Sequence, residues 1–164
     1  MINQLLRIKT FREKKAETEM LKSKVALAKA QADEAQAQRA LQEYIEQAMR
    51  EEHRLYAELC SRVVRLREIT RVQEEVVCLK LGEQARQDAL ASAQKVHLNA
   101  LDVFQSSADL YRIACSARQK FDELLRIETA RVDKELEQKE ESELEELAGQ
   151  LRDRLEHDEV EYAG

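Results

Sequence analysis

Proline and tryptophan are absent from the 164 residues, and glycine occurs three times. Without them the chain lacks the punctuation that turn-rich globular folds depend on. So few glycines also leave no loop able to cradle a phosphate: neither G-x-x-x-x-G-K-[ST] nor G-x-G-x-x-G occurs. G-x-S-x-G and H-E-x-x-H are missing too. Aromatic residues make up 4% of the chain, which argues against a thick core and for a two-layer helical rod. Such a rod has no cleft for a substrate, and solvated carboxylates on it are no buried acid–base pair, so an enzyme is not expected. No apolar run approaches 18 residues, so no membrane span is expected. The opening Met-Ile-Asn-Gln lacks the apolar core of a signal peptide, which points to the cytosol.

Cysteine is scarce as well. Cys60, Cys78 and Cys115 stand far apart with no C-x-x-C, and His53, His97 and His157 have no second His or Cys at three or four residues. These read as free thiols and isolated imidazoles, not as a disulfide frame or a zinc site. No cofactor is expected. The net charge of −6 argues against a nucleic-acid partner.

What the chain does contain is Ala, Glu, Leu, Lys, Arg and Gln, the composition of long helices. Within residues 89–125, Ala93, Val96, Ala100, Val103, Ser107, Leu110, Ala114, Ala117, Phe121 and Leu124 recur at alternating steps of three and four. That is a heptad seam, and it needs a partner along its length. Leu90, His97, Phe104, Tyr111 and Leu125 widen the stripe. The first arm opens a face with Leu5, Ile8, Phe11 and Arg12 and continues it through Leu21, Val25, Ala28, Ala32 and Ala35. A second run, Leu41, Ile45, Ala48, Leu55 and Leu59, is out of phase with the first and predicts a stutter.

Thr70, with Gln73 three residues on and Glu74 and Glu75 close by, reads as a capping box, while Arg62, Arg65 and Arg67 suit a helix C-terminus. The turn is therefore expected at about residues 64–71, between an arm of about 1–64 and one of about 71–160. Gly82 is the competing site, but Val76, Val77, Leu79 and Leu81 around it read as a continuing helix. The predicted fold is all-α: one antiparallel two-helix coiled-coil hairpin over residues 1–164, with an overhanging C-terminal helix.

Charge is uneven. Residues 1–30 hold eight Lys/Arg against three Asp/Glu, and residues 128–164 hold five against fourteen. A hairpin brings these ends together, either for mutual attraction or as docking ends. A thin face of Leu144, Leu147, Leu151 and Leu155 follows the acidic stretch 133–146.

The outline resembles the central stalk proteins of type III secretion export ATPases, the YscO/FliJ-like group. The resemblance rests on total length, the opening Leu6-Arg7-Ile8-Lys9 with Arg12 and Ala16-Glu17, and the tail Glu140-Glu141-Ser142-Glu143-Leu144. It implies a cytoplasmic adaptor at the inner membrane whose terminal end enters the export ATPase hexamer. It also implies contact with the cytoplasmic domain of the export gate, and some members bind secretion chaperones. Arg7, Lys9, Arg12 and Lys15, spaced two, three and three residues apart on that terminal end, are the expected ring contacts, unless they only neutralise the acidic tail of the same hairpin. Leu41, Tyr44, Val72, Val76 and Leu79, near the turn, are the gate contacts that the resemblance implies, although Val72, Val76 and Leu79 depart from the aromatic residue of the group, and the alternative for all five is ordinary seam packing. The reading kept beside it is a structural coiled coil that assembles with copies of itself.

Overall fold

The computed structural model describes residues 1–162, with the side chains of 159, 160 and 162 left out. Helix α1 runs Ile2–Cys60 (59 residues) and helix α2 runs Leu66–Tyr162 (97 residues). No strand occurs among the described residues. Nothing in either helix forbids its length: proline is absent, and one glycine inside a packed helix costs only about 1 kcal/mol.

The chain reverses at residues 61–65, earlier than the expected 64–71. The cap is also a different one. The Arg65 amide donates to the Glu68 carboxylate at 2.8 Å, and Glu68 further pairs with Arg62 at 3.1 Å. Glu68 thus fills the glutamate half of a capping box and sets a negative charge in the first turn of α2. Thr70 is no cap: its hydroxyl donates to the Leu66 carbonyl at 3.1 Å, inside the helix. Ser61 closes α1, its amide on the Ala57 carbonyl and its hydroxyl on the Glu58 carbonyl.

Packing divides the chain into two compact units, residues 14–112 and residues 1–13 with 113–164. The first unit is an antiparallel hairpin. Its tightest packing lies beside the turn, where Leu55 is 5% exposed, Val72 9% and Val76 6%, with Leu59 against them. Farther from the turn the seam narrows to small residues, with Ser23 and Ala30 buried on α1 and Ala93, Ala100 and Ser107 half-buried on α2. Small knobs of this kind let the helices approach closely. Glu34 pairs with His97 across the seam.

In the second unit, Glu13 pairs with Arg118 and accepts from the Cys115 thiol at 3.3 Å, while the Lys9 ammonium sits 5.2 Å from the Phe121 ring centre. Every described side chain from Thr129 to Asp158 is exposed. That stretch of helix is braced by its own ion pairs, with Arg131 bridging Glu128 and Glu135. The Arg131 hydrogen bond holds the Glu128 carboxyl below its usual value.

The heptad phase differs from the sequence reading. Thr10, Ile45, Glu52 and Leu59 are half-buried beside the main covered row of α1, which is Ile2, Leu6, Lys9, Glu13, Ala16, Met20, Ser23, Leu27, Ala30, Glu34, Ala37, Leu41, Tyr44, Ala48, Glu51 and Leu55. The positions of that row alternate by four and three without interruption, so there is no stutter. Leu5, Ile8, Phe11, Leu21 and Val25 face solvent instead, Phe11 being 68% exposed. On α2 the row Leu90, His97, Phe104, Tyr111 and Leu125 lies inside with Ala93, Ala100, Ser107, Ala114 and Phe121. Val96, Val103, Leu110 and Leu124 lie on the exposed flank of that seam, with Val103 49% exposed. A charged residue at a seam position is tolerated where it meets an opposite charge or an aromatic face, and that is what sets this phase.

Candidate functional site

The four cations of the opening segment do not form one set. Arg7, Arg12 and Lys15 are exposed and make no ion pair or hydrogen bond among the described residues. Lys9 is half-buried and spent on Phe121, within the fold. Spacing alone did not show this place for Lys9, because the seam of α1 accepts a lysine stem where an aromatic ring lies opposite. Leu5, Ile8 and Phe11 lie exposed among the free cations.

The five residues assigned to the gate contact are all at least half-buried and serve the packing of the hairpin. Val72 and Val76 are buried against Leu55, and Leu41 and Leu79 are half-buried. Tyr44 crosses the seam: its hydroxyl donates to the Leu79 carbonyl at 3.0 Å, and the Arg86 guanidinium lies 3.8 Å from its ring centre. Arg86 in turn donates to the Gly82 carbonyl at 3.1 Å. The ring occupies the space a side chain at position 82 would need, with its Cζ 2.7 Å from where a Cβ would stand. Gly82 is therefore a socket, and Arg86 its lid, and sequence reasoning missed both. The available signal was a single glycine retained in an otherwise glycine-free helical run.

Beside this cluster the hairpin surface is grooved. Glu51, Leu55, Arg71, Glu74, Glu75, Cys78 and Leu79 line a shallow depression of about 500 Å³. Its charges are largely paired within each helix: Arg54 holds Glu51 and Glu58, and Arg71 holds Glu75 at 3.0 Å. The Arg54 hydrogen bond lowers the pKa of the Glu51 carboxyl. A surface of this kind can dock a protein but has no acid or base set apart for catalysis. Cys60 and Cys78 are exposed and Cys115 is half-buried, all as free thiols. Among the described residues no group of three His, Cys, Asp or Glu could hold a metal ion, and no helix is long and apolar enough to cross a membrane.

No curated protein matches the chain. Among solved structures it is similar to the crystal structure of type III secretion protein YscO from Vibrio parahaemolyticus, with a TM-score of 0.78 at 24% identity over 89% of this chain and 92% of that one. That likeness establishes the fold. The family described as type III secretion protein YscO matches residues 2–150, and the chain belongs to that family.

Proposed function

We propose that the protein is a non-enzymatic stalk adaptor of a type III secretion export ATPase, linking the ATPase ring to the cytoplasmic domain of the export gate and offering a docking surface to secretion chaperones. Its place is cytoplasmic, at the secretion apparatus on the inner membrane. The observation that carries this reading is the family match over nearly the whole chain, joined to three exposed, unpaired cations, Arg7, Arg12 and Lys15, on the first turns of α1. A slender two-helix element is what a ring can grip. Exposed cations contribute about 0–1 kcal/mol each, yet several acting together raise the association rate and fix orientation. Lys9 serves this end indirectly, by holding α1 against Phe121. Near the turn, Leu41, Tyr44, Val72, Val76 and Leu79 shape the gate-binding face from beneath, with Arg86 and the groove along Leu55, Cys78 and Leu79 presented outward.

The test is replacement of Arg7, Arg12 and Lys15 together by serine. The helical melt should stay within about 0.5 kcal/mol of the parent, as for surface substitutions. Stimulation of the partner ATPase should be lost. Undiminished stimulation by a folded triple variant refutes the ring contact.

A further inference from the structure

We propose that the leucine-bearing acidic tail of α2 docks into a lateral groove on the 14–112 hairpin of a second copy of this chain. Two unpartnered surfaces point to it, one on each unit.

The groove lies on the flank of the hairpin where Val96 and Val103 stand beside the seam. Ser23, Ala26, Lys29, Ala30, Asp33, Val96, Asn99, Ala100 and Val103 line a depression there of about 370 Å³. Its floor is alanine, so a third helix could approach the seam closely. Leu110 continues the apolar edge one heptad further on the same helix, and it is exposed. The α1 rim carries exposed Lys29 and Asp33, and Lys22 stands one heptad before Lys29 just outside the depression. Lys29 has no ion partner among the described residues, and Lys22 has only a loose pair with Glu19 at 3.5 Å.

The tail supplies the complement. Leu144, Leu147, Leu151 and Leu155 are all exposed. Their spacing of three, four and four confines them to one stripe about 80° wide on a 3.6-residue helix. The turns just before the stripe are strongly acidic: residues 137–146 hold six glutamates and one lysine, net −5. An apolar stripe with an acidic lead fits an apolar groove flanked by two lysines against one aspartate, the geometry of helix-in-groove recognition. The nearby ion pairs on the tail, such as Arg131 with Glu128 and Glu135, leave that lead uncommitted. A contact of a few leucines is small, so the association is weak and concentration-dependent, and salt weakens it further.

The experiment is sedimentation velocity on the full chain over about three decades of concentration, at low and high salt. Self-association at the upper end, reduced by salt, is the expected result. A tail variant (Leu147→Asp with Leu151→Asp) and a groove variant (Val96→Asp with Val103→Asp) should each be monomeric. All four positions are solvent-exposed, so both variants should keep the parent's helical melt. Mixing the two variants is the decisive step, because the groove variant's intact tail can enter the tail variant's intact groove. Association should then return to about half the parent's extent. A parent that stays monomeric throughout overturns the proposal, as does association that survives in either variant alone or fails to return on mixing. The ATPase plays no part in this assay, so its outcome is separate from that of the stalk reading.

Discussion

Substituting Gly82 by alanine tests the Tyr44 socket, because two effects of opposite sign meet at one position. Alanine is a better helix former than glycine by about 1 kcal/mol, so in an ordinary exposed helix the change stabilises. Here the new methyl group would lie 2.7 Å from Tyr44 Cζ and 3.4 Å from its Cε1. The ring must leave. Its departure breaks the hydroxyl bond to the Leu79 carbonyl, about 1 kcal/mol, and the Arg86 stack, about 0.5–1 kcal/mol at a partly exposed site. If the ring stays, overpacking strain of about 1–3 kcal/mol replaces those losses. The net is destabilisation by about 1 kcal/mol, a fall in melting temperature of about 2–4 °C for a chain of this size.

The sign is what identifies the mechanism. In a Tyr44→Ala background the socket is empty, and Gly82→Ala should stabilise by about 1 kcal/mol. The double-mutant cycle then carries a coupling of about 2 kcal/mol, well beyond the additivity error. Thermal and urea melts followed by helical circular dichroism measure all four corners. If Gly82→Ala stabilises the parent as much as it stabilises the Tyr44→Ala chain, the socket argument is wrong.

Leu55→Ala should cost about 2–4 kcal/mol, because Leu55 anchors the buried cluster with Val72 and Val76. Val103→Asp should cost less than about 1 kcal/mol in the same urea melts, since Val103 is half-exposed. Arg118→Ala leaves the Glu13 carboxylate covered without its cation and should destabilise the 1–13/113–164 unit by about 1–3 kcal/mol, read as faster amide exchange over residues 5–13. Arg54 lowers the folded-state pKa of Glu51 below 4.5, so this pair's small contribution is present above that pH and fades as pH falls through the folded value. Glu51→Gln should remove that part of the acid dependence of the melt, and a melt whose pH slope is unchanged would contradict it.

Helix, hairpin and the approximate place of reversal were legible because each follows from a local absence: no proline, little glycine, no turn-forming clusters. The cap was harder. Thr70–Gln73 matches a capping-box pattern, but the pattern cannot tell whether the Gln73 carboxamide or the Glu68 carboxylate reaches back. Glu68 wins because Arg65 and Arg62 both converge on it. The basic opening of α1 was legible as a patch and not as three free cations plus one occupied lysine, since Phe121 stands more than a hundred residues from Lys9.

The seam phase shows why pattern reading fails where it does. The first thirty residues of α1 carry apolar side chains on two faces, Leu5, Ile8, Phe11, Leu21 and Val25 on one, Ile2, Leu6, Ala16, Met20, Leu27 and Ala30 on the other. Side-chain size favours the first, whose five members include no alanine, over the six of the second, two of which are alanine. Packing selects the second because its polar members have partners on α2: Lys9 meets Phe121, Glu13 meets Arg118, Glu34 meets His97. Turning α1 by one position would strand those two carboxylates against the alanines and leucines of α2, at a cost of about 1–3 kcal/mol each, and would expose Leu6, Met20 and Leu27 in exchange for the apolar residues it covers. The phase of this coiled coil is thus written in pairs some 60 to 110 residues apart, and a single helix read alone contains only half of each.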